Sequence, residues 1–248
     1  MKKKKVLIVI PARWGSSRFK GKPLAKIMGK TVIQHVWEKA IKSKRADNVV
    51  VATDNLKIKN FCKKNRINFI MTSKNHLTGT DRICEVANKI NADIYVNVQG
   101  DEPLINPKSI DVIINSLIKK IPEDFSVSTG YEETTVKQEK KKTVNFIVKS
   151  KTSKLLLISR SEIPSNYKKK EKRLLHIGLF AFTKKALKVF SKNKPGPLEI
   201  NESNELLRLV ENNQNIYCVP LRYNKGVKLA VDYPSDIKKI EKFLKKSK

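Results

Sequence analysis

The segment Ile10-Pro-Ala-Arg-Trp-Gly-Ser-Ser-Arg-Phe-Lys-Gly-Lys-Pro-Leu24 carries the most information about the fold of this chain. It follows an apolar run at residues 6–10, which is typical of a strand buried on both faces. Arg13 and Arg18 offer planar forks of donors to phosphate oxygens, and Lys22 offers a mobile ammonium group. Because α/β folds bind ligands at the carboxyl ends of their strands, the segment predicts a phosphate-binding loop. The alternative is an ordinary basic surface loop.

The apolar pattern of the first half extends this strand into a sheet. Apolar runs alternate with segments of helical periodicity, which predicts βαβ units and an α/β fold: a mostly parallel, Rossmann-like twisted sheet flanked by helices. The strands predicted in this half lie at residues 6–10, 48–53, 67–70, 94–98 and 125–131.

The pattern changes in the second half. Between about residues 132 and 182, basic runs separate short β-like pieces, which predicts an antiparallel excursion from the main sheet. Helical spacing returns at residues 198–210, and strands are predicted at 216–220 and 227–231. Pro234 is well placed as the first residue of a C-terminal helix.

The composition bears on the class of partner. The net charge of +30, from 53 basic and 23 acidic residues, makes a nucleic-acid-binding protein one alternative. However, 44 of the basic residues are Lys and only nine are Arg, and the 7% of aromatic residues do not interleave with the basic runs. Nucleic-acid-binding proteins favour Arg and add aromatic platforms, so we expect a solvated lysine surface and no nucleic-acid partner.

Three further features bear on location. No apolar run approaches the roughly 20 residues that span a bilayer, so no membrane insertion is expected. The basic N-terminus precedes an apolar run that is too short for a secretory signal. Cys62, Cys84 and Cys218 are isolated, which argues against a disulfide framework or a zinc site. We therefore expect a cytoplasmic protein.

Two polar sites are predicted beside the basic loop. Asp101 lies just beyond the predicted strand at residues 94–98, and a carboxylate there suits a magnesium ion that bridges phosphates. Helix capping is the alternative for Asp101. The segment Thr78-Gly79-Thr80 opens a predicted helix, whose amides either hold a base or phosphate or form a plain N-cap turn.

These segments together resemble the 3-deoxy-manno-octulosonate cytidylyltransferase (CMP-Kdo synthetase) family. The resemblance runs nearly the full length and includes the 10–24 segment. The other matching blocks are Thr78-Gly-Thr-Asp-Arg82, Val96-Asn-Val-Gln-Gly-Asp-Glu-Pro-Leu104, Ser159-Arg-Ser-Glu-Ile-Pro164, His176-Ile-Gly178, Pro197-Leu-Glu199 and Val231-Asp-Tyr-Pro234. It implies one nucleotidyltransferase domain over residues 1–248, with sugar binding and dimerisation in the excursion at about 132–182.

The resemblance also implies an activity and a site. The family couples CTP to a 3-deoxy-2-ulosonic acid, most often Kdo, with Mg²⁺, and forms homodimers; the CMP-sugar then enters lipopolysaccharide or surface-glycan synthesis. The residues implied as catalytic are Arg13, Lys22, Asp101 and Asp232, the two Asp also as metal ligands. Those implied as nucleotide-binding are Ala12, Arg13, Arg18, Lys22, Thr78, Gly79, Arg82 and Gln99. Those implied as sugar-binding are Gln99, Arg160, His176 and Glu205.

Some positions depart from the family pattern, mainly in the half that would hold the sugar. Leu206 stands where the family carries Gln, and Asn145 stands where it usually carries Lys. These departures leave an alternative open, namely the same reaction on an amino-substituted octulosonate or a nonulosonate.

Overall fold

The computed structural model describes residues 3–134, 145–165, 172–221 and 230–246. The strands are β1 (Val6–Ala12), β2 (Lys26–Ile27), β3 (Lys30–Thr31), β4 (Asn48–Thr53), β5 (Phe69–Met71), β6 (Ile94–Val98), β7 (Phe125–Thr134), β8 (Phe146–Lys149), β9 (Leu155–Ser159), β10 (Arg173–Thr183) and β11 (Asn215–Pro220). The α-helices are α1 (Val32–Ala40), α2 (Leu56–Lys64), α3 (Gly79–Lys89), α4 (Pro107–Lys120), α5 (Lys184–Lys192), α6 (Pro197–Glu202), α7 (Leu206–Glu211) and α8 (Pro234–Lys246).

The main sheet has the strand order β11-β7-β10-β6-β1-β4-β5. Strand β1 pairs in parallel with both β4 and β6, and β5 pairs in parallel with β4. Residues 6–10 are at most 2% exposed, as expected for a parallel strand covered by helices on both faces. The predicted α/β fold class is confirmed, and the carboxyl ends of β1 and β6 meet at one edge of the sheet.

The predicted antiparallel segment contributes a central strand. β10 pairs antiparallel with β6 on one side and β7 on the other, so it lies within the main sheet, while β8 and β9 extend from it as a hairpin. The reason is the run of residues 179–182, which is buried on both faces and cannot remain at an edge. This strand places His176 and Gly178 at the same end of the sheet as the carboxyl end of β6.

The helical segment predicted at residues 198–210 is two helices. Ser203 adopts a left-handed conformation with φ of 50° and ends α6, and α7 begins three residues later. The break turns Asn204 and Glu205 toward the ligand end of the sheet.

The C-terminal region agrees in part with its prediction. Pro234 begins α8 as predicted. Of the strand predicted at 227–231, residues 227–229 lie outside the described residues, and Val231 is not in a strand. Instead, the Val231 amide donates to the carbonyl oxygen of Asp101 at 2.9 Å. This bond fixes the segment before α8 against the segment that follows β6. Within the described residues, no helix has the length and apolarity to cross a bilayer.

Gly100 allows the segment after β6 to approach the last residues of β1 closely. A Cβ at this position would press into the carbonyl oxygen of Pro11, well inside van der Waals contact. We expect Gly100→Ala to lower the free energy of unfolding by about 1–3 kcal/mol, because backbone atoms must move to admit the methyl group. Urea denaturation measures the change. Gly15→Ala is the control, since a Cβ at Gly15 meets nothing within 4 Å. Equal stability of the two variants would contradict the steric argument.

Candidate active site

Two adjoining cavities open at the carboxyl ends of β1 and β6. One has a volume of about 180 Å³ and is called here the basic cavity; the other has about 470 Å³ and is called the large cavity. They share Arg18, Leu77, Thr78, Gly79, Gln99 and Asp101. Every site residue predicted from the sequence lines at least one of them. The basic cavity takes in Ala12, Arg13, Lys22 and Arg82 besides the shared residues, and the large cavity takes in Arg160, His176, Glu205 and Asp232.

Lys22 joins the basic loop to two other segments. Its ammonium group donates to Asp101 Oδ2 at 2.5 Å and to the carbonyl oxygen of Val231 at 3.1 Å. Gly21, with φ of 75° and the Trp14 ring against its Cα, forms the turn that directs Lys22 inward. Since the Val231 amide also bonds Asp101, the Lys22 ammonium group holds both chain segments that carry the predicted carboxylates.

Asp232 is held in a similar way by Arg18, another cation of the same loop. Arg18 Nη2 donates to Asp232 Oδ1 at 2.6 Å. Asp232 does not cap α8, because Asp236 Oδ2 accepts the amides of Asp232 and Tyr233 at 3.0 and 2.8 Å. The Asp232 carboxylate is therefore turned toward the large cavity, where Asp101 also lies.

These two carboxylates are suited to Mg²⁺. No group of three or more His, Cys, Asp or Glu side chains that could hold a metal occurs in the described part of the chain. Mg²⁺ is commonly bound by only one or two carboxylates, together with substrate phosphates and waters. Asp101 and Asp232 are hard oxygen donors of that kind, and each is 20–25% exposed, so ligands can reach them.

Arg13 differs from the other two cations of the loop. Its side chain is exposed at the basic cavity and forms no hydrogen bond or ion pair within the described residues. The loop therefore brings one unpaired guanidinium to the basic cavity, in addition to two cations that are paired with carboxylates.

The N-terminus of α3 lies between the cavities, and most of its amides already have acceptors. Thr78 and Asp81 form a capping box. The Thr80 amide donates to Glu205 Oε2 at 3.0 Å. Burial raises the pKa of the Glu205 carboxyl above its ordinary value, although the bond from Thr80 opposes that shift. Because two acidic side chains already offset the helix dipole, this wall disfavours a phosphate and suits a neutral group.

Arg82 lines the basic cavity, but protein groups occupy its guanidinium. Nη2 donates to Asp54 Oδ2 at 2.9 Å, and Nη1 donates to the Thr72 hydroxyl. Only 3% of the side chain is exposed. Arg82 therefore ties α3 to the segments that follow β4 and β5, and its direct contact with a nucleotide stays a prediction.

Two of the predicted sugar-binding residues are held firmly in the large cavity. His176 is buried, its Nε2 lies 2.9 Å from the Thr129 hydroxyl, and its ring stacks on Phe180. Arg160 Nε donates to the carbonyl oxygen of Glu202 at 2.9 Å, which fixes the guanidinium at the cavity wall. Asn204, which lies 3.4 Å from His176 Nδ1, had no role predicted for it.

A buried ion cluster behind the cavity was also not predicted. Arg208 Nε and Nη2 donate to the two carboxylate oxygens of Glu199, both at 2.7 Å, and Nη1 donates to Asp81 at 3.1 Å. The guanidinium also lies 3.8 Å from the centre of the Phe190 ring. The cluster connects α3, α6 and α7. An Arg in an otherwise lysine-dominated chain is the signal that indicates such a site.

Leu206 lies in the core. It is fully buried among apolar residues and lines neither cavity. The substitution of Leu for the family's Gln at this position therefore does not alter the cavity surface of this chain.

The chain belongs to the cytidylyltransferase family, whose model matches residues 7–216. The 3-deoxy-manno-octulosonate cytidylyltransferase of Chlamydia trachomatis serovar A is 40% identical over 95% of this chain and 92% of its own length. The enzyme of the same name from Geotalea uraniireducens is 39% identical over 98% of this chain and all of its own length. A solved structure described as CMP:2-keto-3-deoxy-manno-octonic acid synthetase complexed with CTP has a TM-score of 0.90 and 33% identity, covering 98% of this chain and 100% of that one. The family resemblance predicted from the motifs is confirmed.

The Arg208 cluster gives a prediction about stability. Arg208→Met removes the cation but leaves the Glu199 and Asp81 carboxylates where they are, so we expect the free energy of unfolding to fall by about 3–5 kcal/mol. Urea denaturation measures the loss. Lys30→Met is the matched control, because Lys30 pairs with Glu38 at an exposed site and its loss should cost under about 1 kcal/mol. A loss in Arg208→Met no larger than in the control would show that the cluster does not hold these helices.

Proposed function

We propose that the protein transfers the cytidylyl group of CTP to 3-deoxy-manno-octulosonate (Kdo), and that the CMP-sugar is used in building lipopolysaccharide or another surface glycan. Asp101 and Asp232 converge beside the basic loop, where both line the large cavity, and this arrangement supports the proposal. Full-length similarity to relatives that bear the name of this activity supports the choice of substrates.

The basic cavity is where we place the triphosphate. Nucleotidyl transfer needs an attacking oxygen in line with the α-phosphorus and stabilisation of the leaving pyrophosphate. The anomeric 2-hydroxyl oxygen of the sugar forms a bond to the α-phosphorus as the bond to the β-phosphate oxygen breaks. The guanidinium of Arg13 and the ammonium of Lys22 offset the charge that develops on the pyrophosphate.

Asp101 and Asp232 are the proposed ligands of Mg²⁺. When bound, Mg²⁺ supplies screening of phosphate charge and orientation of the attacking oxygen. In the structure the two carboxylates are neutralised by Lys22 and Arg18. A metal on the carboxylates would leave both cations available to phosphate oxygens, since each cation is already beside the basic cavity.

The large cavity is where we place the acid. Arg160 supplies a fork that suits the sugar carboxylate, and Gln99, His176 and Glu205 offer polar contacts to hydroxyls. Asn145 Oδ1 is buried at this cavity without a hydrogen-bond partner in the described structure. Such an acceptor is satisfied by a sugar hydroxyl or by water. Asn145, which stands where the family usually carries Lys, is thus able to take part in binding the sugar.

We further propose a homodimer in the cytoplasm. The three cysteines are free and buried, which suits a reducing compartment. Burial also raises the pKa of each thiol, to about 11 for Cys62 and about 12 for Cys84 and Cys218, so all three are unreactive near neutral pH.

Pyrophosphate release tests the proposed function directly. The purified protein is assayed with CTP and Mg²⁺ against Kdo, an amino-substituted octulosonate and a nonulosonate. We expect Kdo to give the highest kcat/KM. Turnover of another ulosonic acid in preference to Kdo would identify that acid as the acceptor in place of Kdo. No CTP turnover with any acid, combined with salt-sensitive retention of DNA or RNA, would support the nucleic-acid-binding alternative.

The proposed metal ligands give a second test. Asp101→Asn and Asp232→Asn keep the side-chain shape but remove a charged oxygen, so we expect kcat to fall by about 10²–10³-fold or more. Asp111→Asn is the control, since Asp111 bonds Ser43 away from both cavities. Circular dichroism verifies folding. Near-normal turnover in either variant would remove that residue from the metal site.

Arg160 gives a test of acceptor binding. Arg160→Lys loses one of two aligned hydrogen bonds to the sugar carboxylate, and we expect a loss of about 1.5–3 kcal/mol in kcat/KM for the acid. The KM for CTP should stay nearly constant, because Arg160 lines the large cavity and not the basic cavity. Kinetics with each substrate varied in turn separate the two effects. An equal loss for CTP would contradict the assignment.

A further inference from the structure

His76 lies in the basic cavity beside Thr78 and Gly79 and has no part in the mechanism above. Its side chain is about one-fifth exposed, and its Nε2 is 2.5 Å from Glu85 Oε2. Glu85 is fixed in turn by the Ser73 amide at 2.8 Å and by Lys89 at 2.6 Å. The imidazole is therefore held in place by Glu85 of α3.

The Glu85 carboxylate determines which ring nitrogen of His76 carries the hydrogen. Desolvation opposes the charged form of Glu85, but the hydrogen bonds from Lys89, Ser73 and His76 outweigh it and lower its pKa to about 2. An ionised carboxylate only accepts, so the hydrogen lies on Nε2 of His76. In the neutral imidazole Nδ1 then carries a lone pair, and within the described residues it has no hydrogen-bond partner. Glu85 is not among the residues that line the cavity, which leaves the Nδ1 edge for a ligand.

The charges around the basic cavity indicate which part of a nucleotide reaches His76. Arg13, Arg18 and Lys22 lie on the β1 side and attract the phosphates. On the α3 side, Asp81 and Glu205 occupy the helix N-terminus, and Glu85 lies behind His76. Because the amides of Thr80 and Asp81 already donate to side-chain oxygens, they are not available to a phosphate, and the α3 side suits the neutral base.

We propose that His76 Nδ1 accepts a hydrogen bond from the exocyclic amine of cytosine and so selects CTP over UTP. Uracil carries a carbonyl oxygen at the corresponding position, which would place one lone pair against another. Such a pairing leaves a buried acceptor unsatisfied, which is how hydrogen-bonding sites reject close analogues. The inference rests on the proposed function, because it assumes a cytidine nucleotide in the basic cavity.

Substitutions of His76 test the inference through the ratio of CTP to UTP binding, measured by equilibrium dialysis at about pH 8, where imidazole is ordinarily neutral. His76→Leu removes the acceptor, and we expect the preference for CTP to fall at least about tenfold. His76→Asn places an amide oxygen near the position of Nδ1 and should restore part of the preference. His35→Leu is the control, because His35, on α1, bonds the Ile27 carbonyl and lines neither cavity.

Two outcomes would overturn the inference. One is an unchanged ratio in folded His76→Leu; if the affinities for CTP and UTP fall equally, the contact is on phosphate or ribose. If His76→Leu does not fold, Glu85→Gln is measured instead, since an amide no longer fixes the hydrogen on Nε2, and an unchanged ratio there is the second outcome. The proposed function fails separately, when wild-type protein binds CTP selectively but releases no pyrophosphate with any ulosonic acid.

Discussion

Lys22 donates to Asp101 at 2.5 Å and to the Val231 carbonyl at 3.1 Å, and so joins three segments that are far apart in sequence. The loop after β1, the segment after β6 and the segment before α8 each bring one functional group to this point. A parallel sheet creates the junction, because it aligns the carboxyl ends of β1 and β6 at one edge. Gly100 lets the segment after β6 lie against the end of β1, and the Val231 amide binds the segment before α8 to Asp101.

The ion pairs at this junction link stability to function. With no ligand bound, carboxylates that converge on one site repel each other, and the nearby cations from the loop offset that repulsion. The same cations are proposed to bind phosphate once a metal occupies the carboxylates. The site therefore keeps its charges balanced in both states. On the opposite wall, the amides of Thr80 and Asp81 already donate to side-chain oxygens, and this difference is proposed to give a bound nucleotide a direction.

Much of this arrangement could be predicted from the sequence, because its signals are local. The apolar runs of β1, β4 and β6 and the loop between residues 10 and 24 were sufficient to place Asp101 beside that loop. The helix starts at Thr78 and Pro234 were also predicted correctly.

What the sequence could not supply depends on contacts between distant segments. The position of β10 in the centre of the sheet follows from pairing that no local pattern encodes. The pairing of Arg82 with Asp54 and of Arg208 with Glu199 likewise requires the tertiary structure. Leu206 is the clearest example, because the motif placed it near the sugar whereas packing turns it into the core. Its neighbour Glu205 reaches the cavity because the chain reverses at Ser203.

When nucleotide binds, we expect Asp101 and Asp232 to exchange their cation partners for a metal. Anomalous diffraction from crystals grown with CTP and Mn²⁺ measures this exchange. We expect a manganese peak bonded to a carboxylate oxygen of both residues, with Lys22 and Arg18 moved onto phosphate oxygens. A manganese ion held by the triphosphate alone, with Lys22 still on Asp101 and Arg18 still on Asp232, would contradict it.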